Sequence, residues 1–86
     1  MTNDAPKTVI VPKGFLITDV NGKPVPYAYV TIGPAGTTLR SDSDSCDKQG
    51  RMTRDLVGPL PAKVWAVTQH QVTIWQIDNV DAPLHL

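Results

Sequence analysis

Residues 18–32 read TDVNGKPVPYAYVTI, and this stretch decides the predicted fold class. Asn21-Gly22 favours a tight turn between two strands, because both residue types tolerate positive φ. An alternating run follows the turn, which predicts a strand over residues 25–32. The two-residue period of a strand divides its side chains between two faces, with Ala28, Val30 and Ile32 on one face and Tyr27, Tyr29 and Thr31 on the other.

The rest of the chain also predicts strands and turns. All acidic residues are Asp, there is no Glu, and 8 residues are Pro. Asp and Pro favour turns, whereas Glu favours helices. No segment keeps a helical period over about ten residues, and turn signals recur about every 8–12 residues. This pattern predicts an all-β fold, a small antiparallel β-sandwich of about seven strands, transthyretin-like or Ig-like.

The remaining segments divide into an arm, loops and strands. Pro12 and Gly14 separate two short apolar runs, residues 9–11 and 15–17. Residues 1–12 are therefore interpreted as an extended N-terminal arm and residues 13–86 as a single domain. Residues 41–50, SDSDSCDKQG, are interpreted as an exposed polar loop. Further strands are predicted at about 13–18, 51–57, 62–69 and 71–78.

Size and charge restrict the classes of partner. The 86 residues suffice for one domain. Lys+Arg and Asp+Glu balance at 8 each, which gives a formal net charge of zero. Nucleic acid is therefore not an expected partner, because binding to phosphates relies on a concentrated basic surface. A near-neutral surface does little to oppose self-association, so a homo-oligomer stays open.

The sequence also bears on the compartment. No apolar run approaches the roughly 20 residues of a membrane span, so no membrane partner is expected. The N-terminus, MTNDAPKTVIVPKG, lacks the charged start and long apolar block of a secretory signal. Cys46 is the only cysteine, which excludes an internal disulfide. These features predict a protein made in the cytoplasm without a signal peptide.

A family resemblance covers residues 14–68. The first part of this stretch resembles the opening of carboxypeptidase regulatory-like domains, and the matching residues are Gly14, Asp19, Asn21-Gly22, Pro24, Ala28 and Val30. These domains are transthyretin-like (prealbumin-like) β-sandwiches. Residues 45–51 are similar to that family's D-x-x-G-[RKN] motif, and residues 60–65 to its LP-x-G-x-Y segment, with Trp65 in place of Tyr. The resemblance implies a seven-stranded sandwich that serves as a folding or interaction module without catalysis. The insertion at 41–50 and the tail after residue 70 depart from the pattern.

Three aspartates suggest a calcium loop as one alternative. Asp42, Asp44 and Asp47 lie in an oxygen-rich stretch of the kind that binds this ion. The stretch lacks the Gly at the sixth position and the Glu at the twelfth position of an EF-hand loop. A solvated acidic loop is therefore favoured, and neither a metal nor another cofactor is expected.

Catalysis is not expected either. His70, His85 and Cys46 lack the paired spacing of zinc ligands, and no nucleophile elbow is present. The transthyretin-like hydrolases of purine breakdown use histidines and an arginine and end in YRGS, whereas this chain ends in APLHL. The Cys46 thiol is interpreted as exposed and reduced.

The aromatic residues are the best candidates for binding. If Val64, Ala66, Val72 and Ile74 face the core, then Trp65 and Trp75 point outward. Tyr and Trp are enriched where one protein binds another, and aromatic rings also stack on sugars. The alternative is that a bulge places a Trp inside. The predicted partner-binding residues are Tyr27, Tyr29, Trp65 and Trp75, together with Val9, Ile10 and Val11 of the arm, which would add a strand to a neighbour.

These observations favour a non-enzymatic structural protein that binds protein partners in a larger assembly. The expected assembly is a phage or virus particle, with the chain as a capsid decoration or cement protein or a tail accessory protein, and hence virion-associated. That step is an analogy from fold. Two alternatives are a carbohydrate-binding or adhesion module that contacts glycans, and a small transthyretin-like hydrolase.

Overall fold

The structure, a computed structural model, describes residues 8–85. Its six strands are β1 (Thr8–Val11), β2 (Tyr29–Pro34), β3 (Asp42–Ser45), β4 (Leu56–Gly58), β5 (Ala62–Val67) and β6 (Thr73–Val80). Within residues 8–85 there is no helix, and hence none that could cross a membrane. The all-β prediction is confirmed, whereas the predicted count of about seven strands is wrong by one.

The strands form two antiparallel sheets. β1 pairs with β4 in a two-stranded sheet, and the four-stranded sheet has the order β3-β2-β5-β6. β2 and β5 are therefore the central strands of the larger sheet, while β3 and β6 are its edges. In the central pair, Tyr29 lies opposite Val67 and Thr31 lies opposite Trp65.

One face of the four-stranded sheet contributes to the core. Ala28, Val30 and Ile32 are all 0% exposed, so the inward face predicted for them is confirmed. The strand itself begins at Tyr29 and not at residue 25 as predicted. Side chains from both sheets form a single buried cluster, which includes Ile10 and Val11 of β1, Leu56 of β4, Val30 and Ile32 of β2, and Val64 and Ala66 of β5. Burying one such branched side chain stabilises the fold by about 1.5–3 kcal/mol.

The described part of the predicted arm is a core strand. β1 pairs with β4, and Ile10 and Val11 are fully buried. The N–H of Leu84 donates to the carbonyl of Ile10 at 2.9 Å, so the C-terminal segment lies beside β1. Pro12 therefore ends a strand of the domain, and β1 contributes to the core instead of extending away from it. The first seven residues of the predicted arm lie outside the described residues.

The predicted turn is present, but the strand predicted at 13–18 is wrong. Only isolated bridges occur there, and one of them joins Thr18 to Pro24 across the turn. The Asp19 carboxylate accepts hydrogen bonds from two backbone N–H groups of the turn, and Gly22 donates to the Asp19 carbonyl at 3.0 Å. Gly22 has φ +80°, the left-handed value that the turn requires. This local network occupies backbone groups that would otherwise form the hydrogen bonds of a longer pair of strands.

Residues 41–50 are not an exposed loop, which corrects that interpretation. Residues Asp42–Ser45 form β3 and pair with β2 along their whole length. Only the following tight turn matches the expectation, with the Asp47 carboxylate accepting from the N–H groups of Gln49 and Arg51. Alternating Ser and Asp have poor strand propensity, so register with β2 decides the structure here.

The inward stripe predicted for the last strand is also wrong. Val72 is 61% exposed and precedes β6, while Ile74 is half-buried. Trp75 lies opposite Ala66 on the core face and is half-buried, contrary to its predicted outward direction. The pairing of β5 with β6 has two register shifts, one of them next to Ala66. A bulge of this kind inserts one residue and reverses the faces that alternation predicts.

Candidate functional site

An open groove of about 350 Å³ lies on the face of the four-stranded sheet opposite the core. Its floor consists of two cross-strand pairs, Tyr29 with Val67 and Thr31 with Trp65. Thr31 is the deepest of the four, at 3% exposed. Because β2 and β5 both have strand neighbours on each side, their backbone groups are already paired. On this floor a ligand can therefore contact side chains, but not free backbone groups.

Two connections supply the walls of the groove. Thr38 and Arg40 come from the segment between β2 and β3, and Gln71 comes from the turn between β5 and β6. The first connection is fixed by Thr37, whose hydroxyl donates to the Pro34 carbonyl at 2.8 Å. In the second turn, Gln71 has φ +67° and its N–H donates to the Thr68 carbonyl at 3.0 Å. Both walls are thus held by local hydrogen bonds.

The two aromatic rings of the groove are held by their neighbours. The Tyr29 hydroxyl is 2.7 Å from the Ser43 hydroxyl on β3. The Lys63 ammonium lies 5.3 Å from the centroid of the Trp65 ring, within the range of a cation–π contact. Side chains that are already oriented lose less conformational entropy when a ligand binds. The groove is therefore partly preorganised.

The charge of the groove is positive. Arg40 is the one charged residue in its lining, and no carboxylate lines it. Among residues 8–85, both salt bridges involve Arg54, so Arg40 forms none of them. Lys63, above Trp65, adds a second cation nearby. The groove thus presents a guanidinium beside two aromatic rings.

The structure brings together two of the four predicted aromatic residues. Tyr29 and Trp65 share the groove floor, and Tyr29 is 38% exposed. Tyr27 is 48% exposed, but it lies in the turn before β2 with φ +57° and does not line the groove. Trp75 packs against the core cluster from the opposite face.

The aliphatic residues of the predicted arm lie elsewhere. Val9, Ile10 and Val11 belong to β1, where Val9 is half-buried and the other two are fully buried. In this structure they pack within their own chain. Sequence reasoning missed Arg40 and Gln71, which carry no periodic signal because they lie in connections.

The acidic residues of β3 are neutralised by an arginine. Asp42 and Asp44 lie opposite Ile32 and Val30, so both carboxylates project to the same face. Between them, Arg54 places Nη2 at 2.8 Å from Asp42 Oδ1 and Nε at 2.8 Å from Asp44 Oδ2. Within residues 8–85, no group of three or more potential metal ligands converges. The guanidinium thus lies between two of the three aspartates that the calcium alternative named.

Cys46 is buried, which corrects the interpretation of an exposed thiol. Its Sγ accepts a hydrogen bond from the Ala28 N–H at 3.0 Å and donates to the Val25 carbonyl at 3.3 Å. Burial raises the pKa of the Cys46 thiol. The neutral thiol is favoured, which is the opposite of what a reactive cysteine needs. His70 and His85 are exposed and do not join it.

We expect acid to weaken the contact between Asp42 and Arg54. The hydrogen bond from Arg54 lowers the pKa of Asp42 below its ordinary value of 3.8. The stability that this contact contributes is therefore complete above about pH 4 and is lost as the pH falls through the lowered folded-state value. Urea denaturation at pH 6 and pH 3 should show a stability difference between wild type and Arg54→Gln that shrinks at the lower pH.

The matched control for this experiment is Lys48→Gln, the same loss of one charge in an exposed turn. Its difference from wild type should be small at both pH values, because Lys48 has no salt bridge with another described residue. A constant difference between wild type and Arg54→Gln at both pH values would contradict the assignment.

Comparisons with known proteins find no match for this chain. No family model, no curated protein and no solved structure matches it. The resemblance of residues 14–68 to carboxypeptidase regulatory-like domains stays a prediction from the motifs.

Proposed function

We propose that this chain is a non-enzymatic accessory subunit of a larger assembly, joined to its neighbours by protein contacts. The observation that carries the proposal is the outer edge of β6. This eight-residue strand pairs with β5 on one side, and no other strand of residues 8–85 pairs with its second side. Unpaired N–H and C=O groups along such an edge can accept a strand from a neighbour.

The opposite edge of the same sheet is protected. β3 has four residues, and two of them are aspartates. Arg54 lies against this strand and donates from Nη2 to the Ser43 carbonyl at 3.0 Å. Short length and charged side chains are the usual means by which sheets avoid edge-to-edge pairing. β6 is twice as long and carries one charged residue, Asp78.

Apolar surface accompanies the open edge. Ile77 lies opposite Val64 on the core face, yet it is 40% exposed. Ile74 and Trp75 are only half-buried beside it. A neighbouring strand would cover part of this surface, and each Å² of apolar area removed from water contributes about 25 cal/mol.

The assembly that we favour is a virus or phage particle, with the chain as a capsid decoration or tail accessory protein. What supports this step is an analogy with small all-β subunits, which is a fold-level argument. The transthyretin-like sandwich implied by residues 14–68 fits the same role, because the resemblance implies an interaction module. In this proposal the neighbours are protein subunits.

Sedimentation of the tagged chain from its source cells tests the proposal. We expect wild type in fast-sedimenting fractions on a sucrose gradient, together with the subunits of the assembly. Ile77→Lys places a charge at the open edge and should move most of the chain to the light fractions. Val72→Lys is the matched control, since it adds the same charge at an exposed site before β6 and should sediment as wild type.

Circular dichroism should show that both variants remain folded. Wild type found only in light fractions would overturn the assembly role. An Ile77→Lys chain that sediments with the wild type would overturn the role of β6.

A further inference from the structure

We infer that the groove on the outer face binds an acidic saccharide, a sugar ring that carries a carboxylate or a sulfate. The groove lies on the face opposite the core, whereas Ile77 lies on the core face. Binding there does not require β6 to accept a strand, and it adds a small-ligand site to the subunit role proposed above.

The aromatic floor fits a sugar ring. Tyr29 and Trp65 occupy diagonal positions on neighbouring strands, because Trp65 is two residues from Val67, the direct partner of Tyr29. Diagonal neighbours of this kind are about 7–8 Å apart, within reach of two aromatic side chains. The faces of aromatic rings carry negative potential and attract the polarised C–H groups of a sugar. The volume of about 350 Å³ is at the lower end for small-ligand sites.

The polar lining fits a ligand rich in hydroxyl groups. Thr38 offers an exposed hydroxyl that can donate and accept, and Gln71 offers an amide with both functions. These two groups come from two separate connections, one between β2 and β3 and the other between β5 and β6. A purely apolar ligand would leave them without partners.

The charge selects an acidic ligand. Arg40 is the one charged residue of the lining, and it forms no salt bridge with residues 8–85. A guanidinium binds a carboxylate or a sulfate through two parallel hydrogen bonds, which a neutral sugar cannot provide. Lys63 beside Trp65 reinforces the positive potential.

A protein strand fits this site less well. The floor lies across the two central strands, whose backbone groups pair with β3, with β6 and with each other. Strand addition needs a free backbone edge, and the groove has none. Recognition must therefore use side chains, which is how saccharides are bound.

Titration of the full chain, labelled with ¹⁵N and followed by NMR, tests this inference. The probes are a tetrasaccharide that contains glucuronic acid, the corresponding glucose tetrasaccharide, and sodium acetate. We expect the acidic sugar to shift the Trp65 indole N–H and the Gln71 backbone N–H saturably, with a Kd of about 1 mM or tighter. The Gln71 signal reports binding in the variants that lack Trp65. The neutral sugar should bind at least about tenfold more weakly, because the charge-assisted hydrogen bonds are missing.

Four variants sharpen the experiment. Arg40→Gln should weaken binding of the acidic sugar about tenfold, and Trp65→Ala should abolish it. Trp65→Phe keeps an aromatic ring and should retain part of the affinity, which guards against a loss caused by misfolding. Lys48→Gln removes a charge from a turn that does not line the groove and should leave the affinity unchanged.

Several outcomes would overturn the inference. One is the absence of a saturable shift with the acidic sugar up to about 10 mM, beyond which affinity is negligible. Another is equal binding of the neutral sugar, or an Arg40→Gln variant that binds as wild type does. A third is identical shifts with acetate, which would show that the site binds a carboxylate without recognising the sugar ring.

Discussion

Replacing Gly33 with alanine is expected to destabilise the protein by about 3 kcal/mol, because the added methyl group has no space. Gly33 lies in β2 and is buried, and the backbone of Leu39 covers its Cα. A Cβ there would overlap the Leu39 carbonyl oxygen and lie 3.0 Å from the carbonyl carbon. Both atoms belong to the backbone, so no side-chain rotation can relieve the contact.

Gly36→Ala is the matched control, because it adds the same methyl group three residues further along the chain, just after β2. A Cβ at this position meets nothing within 4 Å, although φ is +78°. The cost is then only that of a left-handed conformation, about 1 kcal/mol. Urea denaturation of the two variants measures the difference. Equal destabilisation would contradict the close contact between Leu39 and Gly33.

The same contact determines one wall of the groove. Thr38 and Arg40 flank Leu39, so a displaced Leu39 backbone moves both of them. Gly33→Ala should therefore weaken binding of the acidic sugar even under conditions in which the chain stays folded. Gly36→Ala should have a smaller effect on binding.

Ile10→Ala is expected to lower the free energy of unfolding by about 3 kcal/mol. Ile10 is fully buried in the cluster that both sheets share, and its removal leaves a cavity. Small domains have a total stability of about 5–15 kcal/mol, so the loss is a large fraction. Val9→Ala is the control: Val9 is half-buried on the same strand, and its truncation should cost about 1 kcal/mol.

Thermal and urea denaturation check the order of these two variants. If Val9→Ala costs as much as Ile10→Ala, then β1 does not pack as described. Deleting residues 1–12 would remove β1 together with any docking segment. Loss of assembly in that deletion would not separate docking from folding, which makes the point substitutions the better test.

Sequence reasoning succeeded where alternation was uninterrupted. Val30 and Ile32 were predicted to face the core and Tyr29 to face away. This prediction is correct because no bulge interrupts β2 and both neighbouring strands pair with it in simple register. The groove floor follows from the same period, since Trp65 alternates with the buried Val64 and Ala66 on β5.

The missed elements depend on contacts that are distant in sequence. β3 consists of Ser and Asp, and it is a strand because it pairs with β2 and because Arg54 neutralises its carboxylates. β6 was predicted with the wrong face inward, since two register shifts interrupt its pairing. Arg40 lies in the groove because the Leu39 backbone approaches Gly33, a contact that no local pattern encodes.

The unequal edges of the four-stranded sheet set a limit on how many neighbours it can join. Arg54 and the two aspartates close one edge, and β6 leaves the other open. A sheet with two open edges can add strands at both and grow without limit, whereas a sheet with one open edge can join a single neighbour. Two copies that met through β6 would each use up the one open edge that this sheet has among residues 8–85, and its growth would stop at a closed pair. Growth of a fibre through this sheet is thereby terminated at its first step.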